Sequence, residues 1–388
     1  MAADTPTIAL VAGESSGDQL GAALVEGLRE RYPEARFCGI GGQRMQAAGV
    51  EAWWDSEELA VMGLFEVLGH LPRLLRLRRE LRRRLLAAKP DVFVGIDAPD
   101  FNLGLEIKLR RTGIRTVHYV SPTVWAWREG RVRKIRRAAD LVLCLFPFEP
   151  DFYAGHGVSA TYVGHPMATQ IEPDHDAGAA RAALGLDPEA TTVALLPGSR
   201  ASEVELLSGP MIGAATLLRE RRPGLQFVSA MANDRTQTIF ERALQGSERA
   251  GITLIQDRPR QVMAAADVVL CASGTATLET MLVNRPMVMA YRLALPTYLM
   301  AKHLKLIRPQ HFALPNILAG AALVPELMQD EANAEALARE ASRWLDNPEE
   351  TRTLRRRFDE LHQRLRRDAR EGAAAAVAGG GKGCTWGC

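Results

Sequence analysis

The stretch Thr7-Ile8-Ala9-Leu10-Val11-Ala12 runs directly into Gly13-Glu14-Ser15-Ser16-Gly17-Asp18, and its reading decides the fold. A threonine and five apolar residues, several of them branched, are too few for a buried helix, and the glycine-bracketed polar turn that follows leads into an amphipathic segment. Buried strand, tight turn and helix start form the opening of a βαβ unit. The same sequence of events recurs outward along the chain. Arg36–Ile40, Val92–Ile96, Thr116–Val120 and Leu141–Leu145 are further strand candidates, with helix-patterned segments between several of them. After the polar, proline-bearing stretch Glu172–Ala190 a second series begins: Thr192–Leu196, Gln226–Met231, Thr253–Ile255, Val268–Cys271 and Met287–Tyr291. The expected class is α/β, with two doubly wound, Rossmann-like parallel sheets in tandem. The expected boundaries are 1–170 and 186–330 for the two domains, 331–370 for arginine-rich helices, and 371–388 for a disordered tail.

Composition bounds the function. The 388 residues are 47% hydrophobic and 24% charged with a formal net charge of +2, which excludes disordered and fibrous classes. Of the five cysteines, Cys38, Cys144 and Cys271 lie in apolar runs where a free thiol acts as a small hydrophobe, so a reducing, cytosolic compartment is expected. No run reaches the roughly 20 apolar residues of a membrane span, and Met1-Ala2-Ala3-Asp4 does not resemble a secretory leader. Only six cations are lysine, so arginine carries the positive charge. The clusters Arg128–Arg137 and Arg352–Arg370 are interspersed with acids and carry no motif that reads bases, so nucleic acid is not an expected partner.

Ligands of open α/β sheets bind beyond the carboxyl ends of the strands, and the unusual residues stand there. Glu14, Ser15, Ser16 and Asp18 form a turn able to receive a sugar or phosphate at a helix N-terminus; the bland alternative is a capped helix start. It is neither a P-loop nor a dinucleotide fingerprint. Asp97 ends the apolar strand Val92–Ile96, where a rigid, partly dry position makes a carboxylate a better proton acceptor, and Asp100 suits the start of the next helix. A metal pair is the weaker reading, because no third ligand follows at a recognisable spacing. Trp125 and Trp127 could stack on a sugar face or belong to the core. Ser199 and Arg200 follow Leu196-Pro197-Gly198, a turn suited to a diphosphate unless Arg200 merely pairs with Glu203 or Glu205. Ser273, Gly274 and Thr275 open another helix with free amides, and Glu279 lies where its oxygens could grip a ribose diol. Two anion-suited turns in one domain imply a nucleotide diphosphate. Leu64, Phe65, Leu68, Leu71 and Leu75 lie on one side of Met62–Leu86 with arginines largely elsewhere, which suits an anionic membrane surface or a buried helix with a basic solvated side.

Eight ordered blocks of residues carry a resemblance. They are Gly13–Asp18, Met62–Leu68, Gly95–Asn102, His118–Trp127, Gly164–Met167, Leu196–Arg200, Ala272–Ala276 and Leu314–Gly320. Together, across about residues 7 to 370, they resemble the lipid-A-disaccharide synthases. The resemblance implies a GT-B glycosyltransferase, two Rossmann-like domains facing a cleft, with the 331–370 helices returning to the first domain. It implies an inverting transfer from UDP-2,3-diacylglucosamine to 2,3-diacylglucosamine 1-phosphate, with Asp97 as base. Arg200, Gly274 and Thr275 would hold the diphosphate, Glu279 the ribose or uracil, and Asn316 falls in a matched motif on the donor side. The acceptor would meet Glu14, Ser15, Ser16 and Asp18. No cofactor and no metal are implied. Acylated substrates tilt the Met62–Leu86 reading toward association with the cytoplasmic face of the inner membrane, and the resemblance leaves room for a homodimer. Other UDP-sugar enzymes of this architecture, a cell-wall lipid GlcNAc transferase or a UDP-GlcNAc 2-epimerase, are the alternatives. A non-catalytic nucleotide-sugar binder would have no use for Asp97. Gly379–Cys388, with Cys384 and Cys388, matches nothing in the resemblance.

Overall fold

The computed structural model describes residues 5–59, 64–122, 124–127, 129–173, 175–246, 251–294 and 310–379, and only the backbone of residues 64–71, 126, 127 and 129. The chain divides into two compact units, residues 1–166 with 366–388, and residues 167–365. In the first, β1 (Thr7–Ala12), β2 (Arg36–Ile40), β3 (Glu51–Trp54), β4 (Val92–Ile96), β5 (Arg115–Tyr119), β6 (Leu141–Cys144) and β7 (Ala160–Tyr162) form a sheet in the order β3-β2-β1-β4-β5-β6-β7. All its pairs are parallel. In the second, β8 (Thr192–Leu196), β9 (Gln226–Met231), β10 (Ile252–Gln256), β11 (Val268–Ala272), β12 (Met287–Tyr291) and β13 (Glu326–Met328) are likewise parallel, in the order β10-β9-β8-β11-β12-β13.

Both orders reverse direction once, between β1 and β4 in the first sheet and between β8 and β11 in the second. At such a switch point the crossover helices diverge to opposite faces and leave a crevice beyond the strand ends. The sheets are parallel because their strands are apolar on both faces: every residue of β4, β8 and β11 is buried. Ile8, Leu10, Val94, Ile96 and Val117 pack on one side of the first sheet with Leu24 and Leu28. Ala9, Val11 and Phe93 pack on the other with Leu77, Leu81 and Leu85. Cys38, Cys144 and Cys271 are buried, and burial pushes the Cys38 thiol up to about 11, so it stays protonated and inert. Among the described residues no helix is long and apolar enough to cross a membrane.

The C-terminal helices depart from expectation. Ala334–Asp346 packs on the helix Ala201–Arg221 of the second unit, and Trp344 Nε1 donates to Met287 O at 3.1 Å. Pro348–Leu365 packs on Thr275–Leu282 and Leu314–Ala319, burying Leu354, Phe358, Leu361 and Leu365. The apolar stripes of residues 334–365 are therefore satisfied within the second unit, and the expected return of 331–370 to the first domain is corrected to a shorter one. Ala369–Gly379 makes it: Ala373, Ala374 and Val377 join the core beside the helix Ser15–Arg31. Residues 371–379, expected in a disordered tail, are thus helical, while 380–388 lie outside the described residues. The stretch Glu172–Ala190 belongs to the second unit, where the helix Ala177–Ala183 buries Arg181 in an ion pair with Asp267 at 2.7 Å.

Candidate functional site

The first unit builds its site where β1 and β4 end side by side, Ala12 in register with Ile96. The turns after them touch: a Cβ on Gly13 would lie 2.9 Å from Ala98 Cβ, so glycine lets the two loops approach. Glu14, Ser15 and Ser16 open the helix Ser15–Arg31 and are exposed on the same rim. Asp18 does not share that rim. It is 6% exposed, and its carboxylate accepts from the amides of Gly42 at 2.7 Å, Arg44 at 3.0 Å and Met45 at 3.1 Å. Those three donors open the short helix Gln43–Ala47, which Asp18 therefore caps.

Asp97 is half-buried at the mouth of β4. Its amide donates to Tyr119 O at 2.8 Å, extending the β4–β5 ladder by one step. Asp97 and Ala98 then both turn left-handed, φ 50° and 42°, and Val120 at the end of β5 has φ 75°. For residues with a Cβ these are strained conformations, and they cluster at the two strand ends that flank the carboxylate. Asp100 lies in the first turn of the helix Pro99–Arg110 and pairs with Arg131 at 3.0 Å.

Beyond the ends of β5 and β6 a buried polar group escapes sequence reading. Glu149, 1% exposed, accepts from Phe146 N at 3.0 Å and Trp125 Nε1 at 3.2 Å, while Ser121 Oγ lies 3.0 Å from Tyr153 Oη. Burial pushes the Glu149 carboxyl up to about 7, against the bonds from Phe146, Ser121 and Trp125. Trp125 is thereby fixed in the fold, edge-on to Phe148 at 5.0 Å, and the Trp127 side chain lies outside the described residues. The signal for Glu149 was its place just after β6, the same strand-end logic that singled out Asp97.

The second unit's switch point encloses a cavity of about 400 Å³. Ser199 and Arg200 line it from the turn after β8, and Ser273, Gly274 and Thr275 from the turn after β11, with Glu279 on the following helix. Leu196 in register with Cys271 sets these turns beside each other, and Gly198 and Gly274 take φ 125° and 120°. At the start of the helix Thr275–Leu282 the Thr277 amide already bonds Gly274 O at 3.1 Å, and the amides of Gly274 and Thr275 before it are placed to meet an anion. The Arg200 side chain is 81% exposed and only 3.6 Å from Glu203, a loose pair that leaves it able to meet another charge. Glu279 is held by Arg260 Nε at 3.1 Å. Met231, Asp257 and Pro259 close the far wall, from the loops after β9 and β10, and none was singled out from sequence.

Asn316 lies elsewhere. Fully buried, its amide donates to Val324 O at 2.9 Å and Glu326 Oε1 at 2.7 Å and accepts from Leu323 N and Val324 N, so its hydrogen-bonding capacity is consumed in shaping a loop. It is not among the residues that line the cavity. On the helix Leu64–Ala88, Leu77, Leu81 and Leu85 face the core while Leu75 is 42% exposed. The side chains of Leu64, Phe65, Leu68 and Leu71 lie outside the described residues. Among the described residues no three His, Cys, Asp or Glu side chains gather as metal ligands do.

Known proteins match this chain over its length. A family model described as lipid-A-disaccharide synthetase matches residues 8–377. Relatives named lipid-A-disaccharide synthase are 53% identical over 375 residues in Xanthomonas campestris pv. campestris, covering 96% of this chain and 86% of that protein. In Pseudomonas aeruginosa the identity is 51% over 375 residues, covering 97% and 98%. Among solved structures, UDP-GlcNAc 2-epimerase from Neisseria meningitidis bound to UDP-GlcNAc has a TM-score of 0.59 at 11% identity, covering 96% of this chain and 97% of that one. Sucrose-phosphate synthase from Thermosynechococcus elongatus has 0.59 at 15% identity, with the same coverage. At such identities the structural likeness shows the fold, that of GT-B enzymes.

Proposed function

The chain belongs to the lipid-A-disaccharide synthetase family, and on that premise we propose that it is the glycosyltransferase joining UDP-2,3-diacylglucosamine to 2,3-diacylglucosamine 1-phosphate. The products are the β-1,6-linked tetraacyl disaccharide 1-phosphate and UDP. What supports this reading is that both switch points carry chemistry of the right kind: a half-buried carboxylate in one unit and two adjacent glycine turns lining a cavity in the other. The acceptor's 6-hydroxyl oxygen attacks the anomeric carbon as the carbon–phosphate oxygen bond breaks on the opposite face. Asp97 takes the hydroxyl proton, and UDP leaves with the bonding electrons, inverting the centre. Arg200 and the amides of Gly274 and Thr275 receive the charge that develops on the diphosphate. Glu279, oriented by Arg260 on one oxygen, offers the other to the ribose diol or the base. Glu14, Ser15 and Ser16 meet the acceptor sugar.

Acyl chains must reach this site from a bilayer, and Leu75, exposed on an arginine-rich helix whose core stripe lies on another face, supports docking of that helix on an anionic membrane surface. The epimerase alternative rests on fold alone at 11% identity. Measuring UDP release with both acylated sugars tests the reading. Release is expected only when both are present; UDP release or sugar epimerisation without the acceptor would overturn it.

A further inference from the structure

We infer that Asn102 is the positioning residue for Asp97, the side chain that holds the catalytic carboxylate's backbone in its left-handed turn. This rests on the reading of Asp97 as the base. Asn102 has no exposed surface, and its Nδ2 donates to Asp97 O at 2.9 Å, with Ile96 O and Val11 O each at 3.4 Å. One amide therefore ties together the end of β1, the end of β4 and the turn that carries the carboxylate. Two further backbone groups of the turn are also fixed: Asp97 N bonds Tyr119 O, and Ala98 O accepts from Phe101 N at 3.0 Å and Asn102 N at 2.9 Å. The strained pair, φ 50° and 42°, is thus held from both sides, and only at the Asp97 carbonyl does a side chain do the holding.

Packing alone does not explain an amide here. Asn102 Oδ1 is buried without a hydrogen-bond partner, an unfavourable arrangement that an apolar side chain would avoid, and its neighbours Leu103 and Leu105 are apolar and fully packed. Gly95 makes room for it: a Cβ there would lie 3.0 Å from Asn102 Cβ and 2.2 Å from Glu106 Oε1. What the amide supplies in return is the aim of the Asp97–Ala98 peptide. Released, Ala98 relaxes toward negative φ and Asp97 swings off the line to the hydroxyl proton.

Asn102→Leu keeps the number and branching of the side-chain heavy atoms, at somewhat greater volume, and removes both donors. The expected result is a fall in kcat for UDP release of roughly 10- to 100-fold, as for a displacement of about 1 Å at the reacting centre. KM for each acylated sugar and UDP affinity should stay within about twofold of native. Adding Ala98→Gly to Asn102→Leu should recover most of the lost kcat, because glycine holds a positive φ without strain. Should Asn102→Leu fail to fold, Asn102→Ser, shorter but still a donor, should show a smaller loss of kcat with the same unchanged KM. A native kcat in the variant that folds, or a loss shared equally by kcat, KM and UDP affinity, or no recovery with Ala98→Gly, overturns the inference. Asp97→Asn measured alongside separates the two readings. If Asp97→Asn turns over at the native rate, the base reading fails; if it is inactive while Asn102→Leu is native, only the positioning role fails.

Discussion

At Asp97 a strand buried along its whole length delivers one carboxylate to the water's edge. Asp97→Asn keeps the shape and removes the base, so turnover should fall roughly 10²–10⁴-fold with UDP affinity intact, as read by UDP release and by titration with UDP. Glu149 makes a different prediction. It sits up at about 7 in the folded protein against an ordinary 4.5, so between those values the folded state holds a proton that the unfolded state lacks. Stability from this group therefore falls as pH rises from about 5 to 8, and Glu149→Gln, which keeps an acceptor for Trp125, removes the slope. Buried His165, pulled down to about 4, slopes the other way between about 4 and 6.5, so the difference between native and Glu149→Gln isolates Glu149. Urea denaturation across this range should show the variant gaining roughly 2–3 kcal/mol relative to native on going from pH 5 to pH 8. Candidate site residues were legible in the sequence where a strand end displayed them. The backbone duties of Asn316 and Asp18 were not legible, because a sequence does not say which amides stand near a polar side chain.

The helix Leu64–Ala88 carries a buried stripe, Leu77, Leu81 and Leu85, and an exposed Leu75. Leu81 is fully buried against the first sheet, and Leu81→Ala should cost about 2–5 kcal/mol in denaturant melts. Leu75 is exposed, so Leu75→Ser should leave stability within about 0.5 kcal/mol yet weaken co-sedimentation with anionic liposomes; undiminished binding would return the helix to a purely structural role. The helix Ala369–Gly379 docks through small residues, and a Cβ on Gly27 would meet Ala374 Cβ at 3.0 Å and Arg370 O at 3.1 Å. Gly27→Leu should wedge this contact apart and destabilise the first unit by roughly 1–3 kcal/mol or more, measured by thermal melting.

For the whole molecule, UDP bound in the second unit's cavity should raise the melting temperature with the logarithm of UDP concentration once that exceeds Kd, and Arg200→Ala should cut UDP affinity about 10- to 100-fold, the worth of a lost charge-assisted contact. The fold class was legible because long apolar strands announce themselves, as β1, β4 and β8 do. The edge strands β3, β7 and β13 were missed: they are four, three and three residues long, and an edge needs neither length nor apolar surface on both faces. The break at residue 166 lies close to the expected 170, but the one at 366 was not legible, since Phe358 and Ala374 lie on similar helical stripes and only the partner surfaces tell them apart. That division has a consequence for synthesis. Arg31 and its ion-pair partner Glu371 are 340 residues apart, so the first unit, begun first, is finished last. At about 5–20 residues per second the ribosome leaves the helix Ser15–Arg31 without its covering helix for roughly 20–70 s, while the second unit, continuous in sequence, is free to close. A nascent chain halted before residue 366 should therefore hold a protease-resistant second unit and a first unit still open to capture by chaperones.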